Sequence, residues 1–241
     1  MHKYKLPVLV AGALVVGFLS HHLISSGNRA SEMAEMSKKI FVARGNPDKA
    51  LELLKKGNAA YVKGDFRTFS PKERAEHRET NKEYGQFPIA SILGCADSRQ
   101  PVEDIFNMGT GEIFVVRTAG NTAGVDQTAS LEFSVAALNV PVIVVMGHTA
   151  CGAVDAATKH AKFPEHALGK LMDSFAPVVR ETDKLPEEDR LNQGTIININ
   201  RTISELEANK IIGGAVKEGK VKIVGALYDI ETGEVKFLDR K

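Results

Sequence analysis

The sequence predicts an α/β fold: a mainly parallel central sheet flanked by helices, with a C-terminal antiparallel edge strand. Three observations carry that expectation. Four short apolar runs, Ile89–Leu93, Glu112–Arg117, Pro141–Met146 and Val221–Leu227, are rich in Val and Ile. Continuous apolarity over so few residues reads as strands buried on both faces. Helical patterns stand between them, over Thr128–Leu138 and at Ile196, Ile199, Ile203 and Leu206, and strands that alternate with helices pair in parallel under covering crossovers. The last stretch, Tyr228–Leu238, contains Glu231-Thr232-Gly233, a turn that folds a final strand back as a hairpin.

Taken in order, the chain opens with Lys3 and Lys5 before an uncharged run from Leu6 to Leu19, then Ser25, Ser26 and Gly27. That is the layout of a secretory signal. The run is shorter than the roughly 20 apolar residues that span a bilayer, although an uncleaved segment extending through Leu23 and Ile24 would serve as an anchor. Residues 1–27 are therefore expected to be a signal peptide or membrane anchor, with membrane contact only through residues 6–24 where the signal is uncleaved, and the place a bacterial periplasm or beyond. Residues 28–45 are polar and mixed and read as a linker or N-terminal arm, to which Met33 and Met36 belong. The domain is expected over 46–241. Asn46 can cap a helix that starts at Pro47, with Leu51 and Leu54 on one face and Gly57 available to end it.

With 241 residues, 43% hydrophobic and 25% charged, the chain can bury the core of one domain. Its 31 basic and 30 acidic residues leave a formal charge of +1, which offers no electrostatic footprint for nucleic acid. Gly109, Gly111, Gly120 and Gly124 lack the spacing of a phosphate-binding fingerprint, so turns and close backbone approach account for them.

The chemistry gathers at two strand ends. The first strand runs into Gly94-Cys95-Ala96-Asp97-Ser98-Arg99 and the third into Gly147-His148-Thr149-Ala150-Cys151-Gly152. Both leave the carboxyl ends of parallel strands, where open α/β sheets place their ligands. Either segment alone is weak evidence; together they bring both cysteines of the chain beside a histidine and an aspartate. Two cysteines in an exported protein would ordinarily form a disulfide, but a disulfide gives Asp97, Arg99 and His148 no reason to surround it. Zinc takes sulfur and nitrogen ligands tetrahedrally, and catalytic sites keep three protein ligands and one position for water. Cys95, His148 and Cys151 can supply the three. Two thiolates neutralise the dication, so a water at this metal needs further help. Asp97 could accept its hydrogen bond or take the fourth position, and Arg99 could grip Asp97 through a bidentate pair.

Cys95-Ala96-Asp97-Ser98-Arg99 and His148-Thr149-Ala150-Cys151-Gly152 closely resemble the two signatures of β-class carbonic anhydrases. The resemblance runs over about residues 46–238 and includes Gly57-Asn58, Phe114-Val115-Val116-Arg117, Gly120-Asn121 and Val224-Gly225-Ala226 with Tyr228-Asp229. It implies one zinc per subunit held by Cys95, His148 and Cys151, a catalytic dyad of Asp97 and Arg99, and an aspartate able to swing onto the metal and off it. It also implies reversible conversion of carbon dioxide and water to bicarbonate and a proton, on a homodimer or a dimer of dimers. Gln86 matches, by its distance from Cys95, a glutamine that helps hold substrate in a site lined partly by the other subunit. Zinc would bring the pKa of its water toward neutrality, with Asp97 orienting the resulting hydroxide for attack on carbon dioxide. The sequence names no proton shuttle; His160 and His166 are imidazoles, yet read as exposed helix or loop residues. Gln100 stands where valine is common and Thr149 where serine is common, and neither change removes a ligand. The chain has no tryptophan, so the regulatory bicarbonate pocket of one subgroup is not expected. Two rival readings keep the zinc: a sulfur analogue such as carbonyl sulfide or carbon disulfide as substrate, or a non-catalytic zinc protein.

Overall fold

The computed structural model describes residues 39, 42–164 and 166–239. The export segment at 1–27 and most of the arm at 28–45, with Met33 and Met36, lie outside the described residues. No helix among the described residues is long and apolar enough to cross a membrane.

Helix α1, Pro47–Val62, begins as its sequence dictates: the Asn46 side chain accepts a hydrogen bond from the Lys49 amide at 3.1 Å, and proline fills the first turn. Its buried face is Ala50, Leu53, Leu54 and Asn58, with Leu51 only half-buried. Gly57 does not end it. The helix runs five residues further, and Gly57 sits inside it because a Cβ there would lie 1.9 Å from the Phe106 carbonyl oxygen. That glycine serves the close approach of two backbones. Helix α2, Pro71–Tyr84, is polar on every side and buries none of its residues, so no apolar period announces it. What remains legible is its start, where Ser70 and Glu73 form a reciprocal capping box.

The sheet has the strand order β2-β1-β3-β4-β5. Strands β1 (Ala90–Cys95), β2 (Ile113–Thr118), β3 (Val142–His148) and β4 (Lys222–Tyr228) pair in parallel, and β5 (Val235–Leu238) returns antiparallel to β4. Each of the four apolar runs is a strand shifted toward its carboxyl end, and every residue of β1 and β3 is buried. The hairpin turn is tied by the Asp229 carboxylate, which accepts the Glu231 and Thr232 amides, and closes at Gly233 with φ +77°.

Helices cover both faces. On one, α1 and the short α3 (Val102–Ile105) pack Leu54, Ile105 and Phe106 against Ile92, Val144 and Ala226. On the other, α4 (Val125–Ala136) and α8 (Glu187–Ala208) pack Leu131, Ile199, Ile203 and Leu206 against Leu93, Ile143 and Val145. The helix expected from Thr128 therefore starts three residues earlier. The helices α5 (Gly152–Thr158), α6 (Ala167–Asp173), α7 (Ala176–Thr182) and α9 (Lys210–Lys217) complete the layers.

One ion pair fastens the entry to β2. Arg67 meets Glu112 with two parallel hydrogen bonds of 2.5 and 2.9 Å, the side chains are 18% and 12% exposed, and Glu112 also accepts the Gly109 amide at 2.7 Å. Removing one partner leaves the other largely buried and uncompensated. Arg67→Met is expected to lower stability by about 2 kcal/mol, a buried-pair figure discounted for partial exposure. An unchanged urea midpoint would show that the pair does not stabilise the fold.

Candidate metal centre

Cys95 and His148 are the last residues of the neighbouring strands β1 and β3, and Cys151 immediately precedes α5. Parallel pairing sets the two strand ends side by side. A left-handed Ala150, φ +53°, then turns the chain back so that Cys151 faces them. One ligand atom from each of Cys95, His148 and Cys151 lies within 4.8 Å of the others, and all three residues are buried.

The imidazole orientation tells what the cluster suits. His148 Nδ1 lies 2.8 Å from the Thr149 carbonyl oxygen, which can only accept, so Nδ1 carries the proton and Nε2 the lone pair. That Nε2 is fully buried and has no hydrogen-bond partner among the described residues. A buried imidazole nitrogen set beside two sulfurs suits a cation that takes its lone pair. The thiols say the same. Cys95 is held below the usual thiol range, first by a hydrogen bond from Cys151, then by contacts with His148 and the amides of Asp97 and Gly120, while Cys151 is pushed up by the neighbouring Cys95 sulfur. A dication between them would let both sulfurs ionise. Two sulfurs and one imidazole nitrogen are the donor set zinc prefers.

Asp97 and Arg99 stand at the rim. Asp97 Oδ1 accepts the Arg99 amide and Nε, both at 2.9 Å, and Oδ2 accepts Arg99 Nη2 at 2.7 Å. This bidentate grip holds the Asp97 carboxyl well below the usual carboxylate range. The carboxylate faces the arginine, with Oδ2 3.8 Å from His148 Nε2. Arg99 is anchored in turn on the Ala150 carbonyl at 3.2 Å, which ties the first loop to the second.

Several supporting groups were not singled out for these roles from the sequence. Arg117, at the end of β2, donates to the Cys95 carbonyl at 2.8 Å and the Asp97 carbonyl at 2.5 Å. Gln100, wholly buried, accepts the Cys95 amide at 2.7 Å, and the Gly120 amide donates to Cys95 Sγ at 3.2 Å. Arg117 and Gly120 lie in runs the sequence marks, but only the fold aims them at Cys95. The Thr149 hydroxyl accepts the Ile230 amide at 3.0 Å.

Gln86 is not brought to this centre. It is exposed before the amino end of β1, while the cluster lies at the carboxyl end, at least roughly 15 Å away along six residues of strand. His160 is a surface residue paired with Asp183 at 2.9 Å, and His166 is exposed ahead of α6; neither is at the cluster.

Comparison with known proteins gives one answer. The family model described as carbonic anhydrase matches residues 90–235. Carbonic anhydrase 2 of Mycobacterium tuberculosis is 36% identical over 200 residues, which covers 80% of this chain and 94% of that protein. The structure of the β-carbonic anhydrase CcaA superposes with a TM-score of 0.62 at 28% identity, over 68% of this chain and 87% of that one. Crystal structures of two tetrameric β-carbonic anhydrases from Sordaria macrospora give a TM-score of 0.59 at 27% identity, over 70% and 94%.

Proposed function

The chain belongs to the β-class carbonic anhydrase family, and from that premise we propose how its own residues carry the reaction. It is a zinc enzyme that interconverts carbon dioxide and water with bicarbonate and a proton. Cys95, His148 and Cys151 hold the metal. The single observation that carries this assignment is that one ligand atom from each of the buried Cys95, His148 and Cys151 lies within 4.8 Å of the others.

Bound zinc supplies the Lewis acidity that makes hydroxide available near neutral pH. Arg99 keeps Asp97 ionised and fixed in direction. Asp97 accepts a hydrogen bond from the attacking hydroxyl group and so turns its lone pair toward the carbon of carbon dioxide. Arg117 and Gln100 hold the Cys95 backbone at its carbonyl and its amide, which keeps the sulfur in place through each turnover.

Gln86 contributes to substrate binding in the site of a second subunit. Its position at the far end of β1 supports that reading, because a residue there reaches a metal centre only across a subunit boundary. The active form is accordingly a homodimer, or a dimer of dimers. Residues 1–27 export the 46–241 domain to the periplasm or anchor it in the membrane through residues 6–24, with 28–45 as the connecting arm. The charge and apolar pattern of the first residues supports this. Amino-terminal sequencing of the protein recovered from the cell envelope tests it: a start near residue 28 indicates cleavage, an intact start in the membrane fraction the anchor, and recovery from the cytosol neither.

The deciding experiment is stopped-flow hydration by purified protein lacking residues 1–27, with zinc measured on the same sample. Hydration is expected to vanish when zinc is stripped and return when it is restored. A fully zinc-loaded protein without hydration would remove carbon dioxide as the substrate.

A further inference from the structure

Cys95 is held at three atoms, and one of the three contacts depends on a residue far away in the chain. The Gly120 amide donates to Cys95 Sγ from a left-handed Gly120, at φ 67° and ψ 27°. Two groups bear on that turn. Phe175, wholly buried, fills the space where a side chain would stand, its Cζ 2.4 Å from a Cβ placed on Gly120. Asn198, wholly buried on α8, donates from Nδ2 to the Gly120 carbonyl at 2.7 Å, across 78 residues of sequence.

Among the described residues the Asn198 side-chain amide has no other engagement. Its Oδ1 is buried without a partner among the described residues, so the side chain is spent on Gly120 alone. A buried amide that leaves its oxygen unsatisfied costs stability, which sets it apart from an ordinary packing residue. We infer that Asn198 is a positioning residue for the metal centre: by fixing the peptide after Gly120 it commits the Gly120 N–H to the Cys95 sulfur. That hydrogen bond withdraws electron density from the thiolate and holds Sγ in one direction, the service outer groups perform for metal ligands. The inference rests on Cys95 being a zinc ligand.

The test uses the native protein loaded with the NMR-active isotope of cadmium. The Gly120 amide proton is expected far downfield and scalar-coupled to the metal through the Cys95 sulfur. In Asn198→Ala that coupling should be lost, zinc should be surrendered to a chelator about tenfold more readily, and the thiolate-to-metal absorption of the cobalt-substituted protein should move to longer wavelength. Thr202→Val, one turn along the same buried face of α8, should leave all three at their native values. The native measurement needs no variant to fold: coupling at the Cys95 β-protons without coupling at Gly120 overturns the proposal while Cys95 remains a ligand. Absence of coupling at Cys95 itself overturns both. An Asn198→Ala protein with native coupling and zinc retention also defeats it.

Discussion

Asp97→Asn is expected to cut carbon dioxide hydration about a hundredfold or more while zinc content stays at one per subunit. The substitution keeps size and shape but removes the charge that Arg99 grips. One of the two positions now occupied by carboxylate oxygens would carry an amide NH2 group, which faces the donors of Arg99 or the attacking hydroxyl group instead of accepting from them. The metal ligands are untouched, since Asp97 faces Arg99. Asp97 of the native enzyme is also held well below the ordinary carboxylate range by Arg99, so it remains ionised through mild acid. Loss of activity on mild acidification therefore does not come from protonation of this group. Native hydration rates in zinc-loaded Asp97→Asn would remove Asp97 from the mechanism, and loss of zinc would make it a ligand.

The largest structural effect is expected at Gly57→Ala, which should lower stability by about 3 kcal/mol or more and the midpoint of thermal unfolding by roughly 10 °C. A methyl group there would sit 1.9 Å from the Phe106 carbonyl oxygen and 2.8 Å from its carbon. Both are backbone atoms, so no side chain can swing aside and α1 must lift. Lifting α1 strains the next residue as well. Asn58 donates to the Ile105 and Gly233 carbonyls at 3.2 and 2.9 Å and accepts the Val235 amide at 2.8 Å, stitching α1 to α3 and to the β4–β5 hairpin. Helix propensity alone runs the other way, since alanine is favoured over glycine inside a helix by about 1 kcal/mol. A stabilised Gly57→Ala protein would mean that α1 stands further from Phe106 than 1.9 Å implies.

These two positions show where sequence reading carries and where it stops. Asp97 and Arg99 are two residues apart on one loop, so their bidentate pairing follows from local reach, and it is found as expected. A local rule places Gly57 at a helix end, but its neighbour, Phe106, is 49 residues on, and no local rule sees it. Helix α2 escaped because a helix that buries nothing leaves no apolar period to detect. Asn198 reads as one more polar residue on an amphipathic helix, and its role exists only once α8 lies across Gly120.

The sequence by itself determined the fold class, the five strands in their order along the chain, and the Cys95, His148 and Cys151 donor set. Each of these rests on hydrophobic periodicity, on turn chemistry or on the intrinsic affinity of thiolate and imidazole for a metal. The tertiary structure alone decided which nitrogen of His148 is left open, how Cys95 is clamped by Gln100, Arg117 and Gly120, and that Gln86 stands at the wrong end of β1 for its own centre. Hydrogen bonds act over about 3 Å between groups that can be a hundred residues apart, and only the packing of strands and helices settles which groups come within that reach.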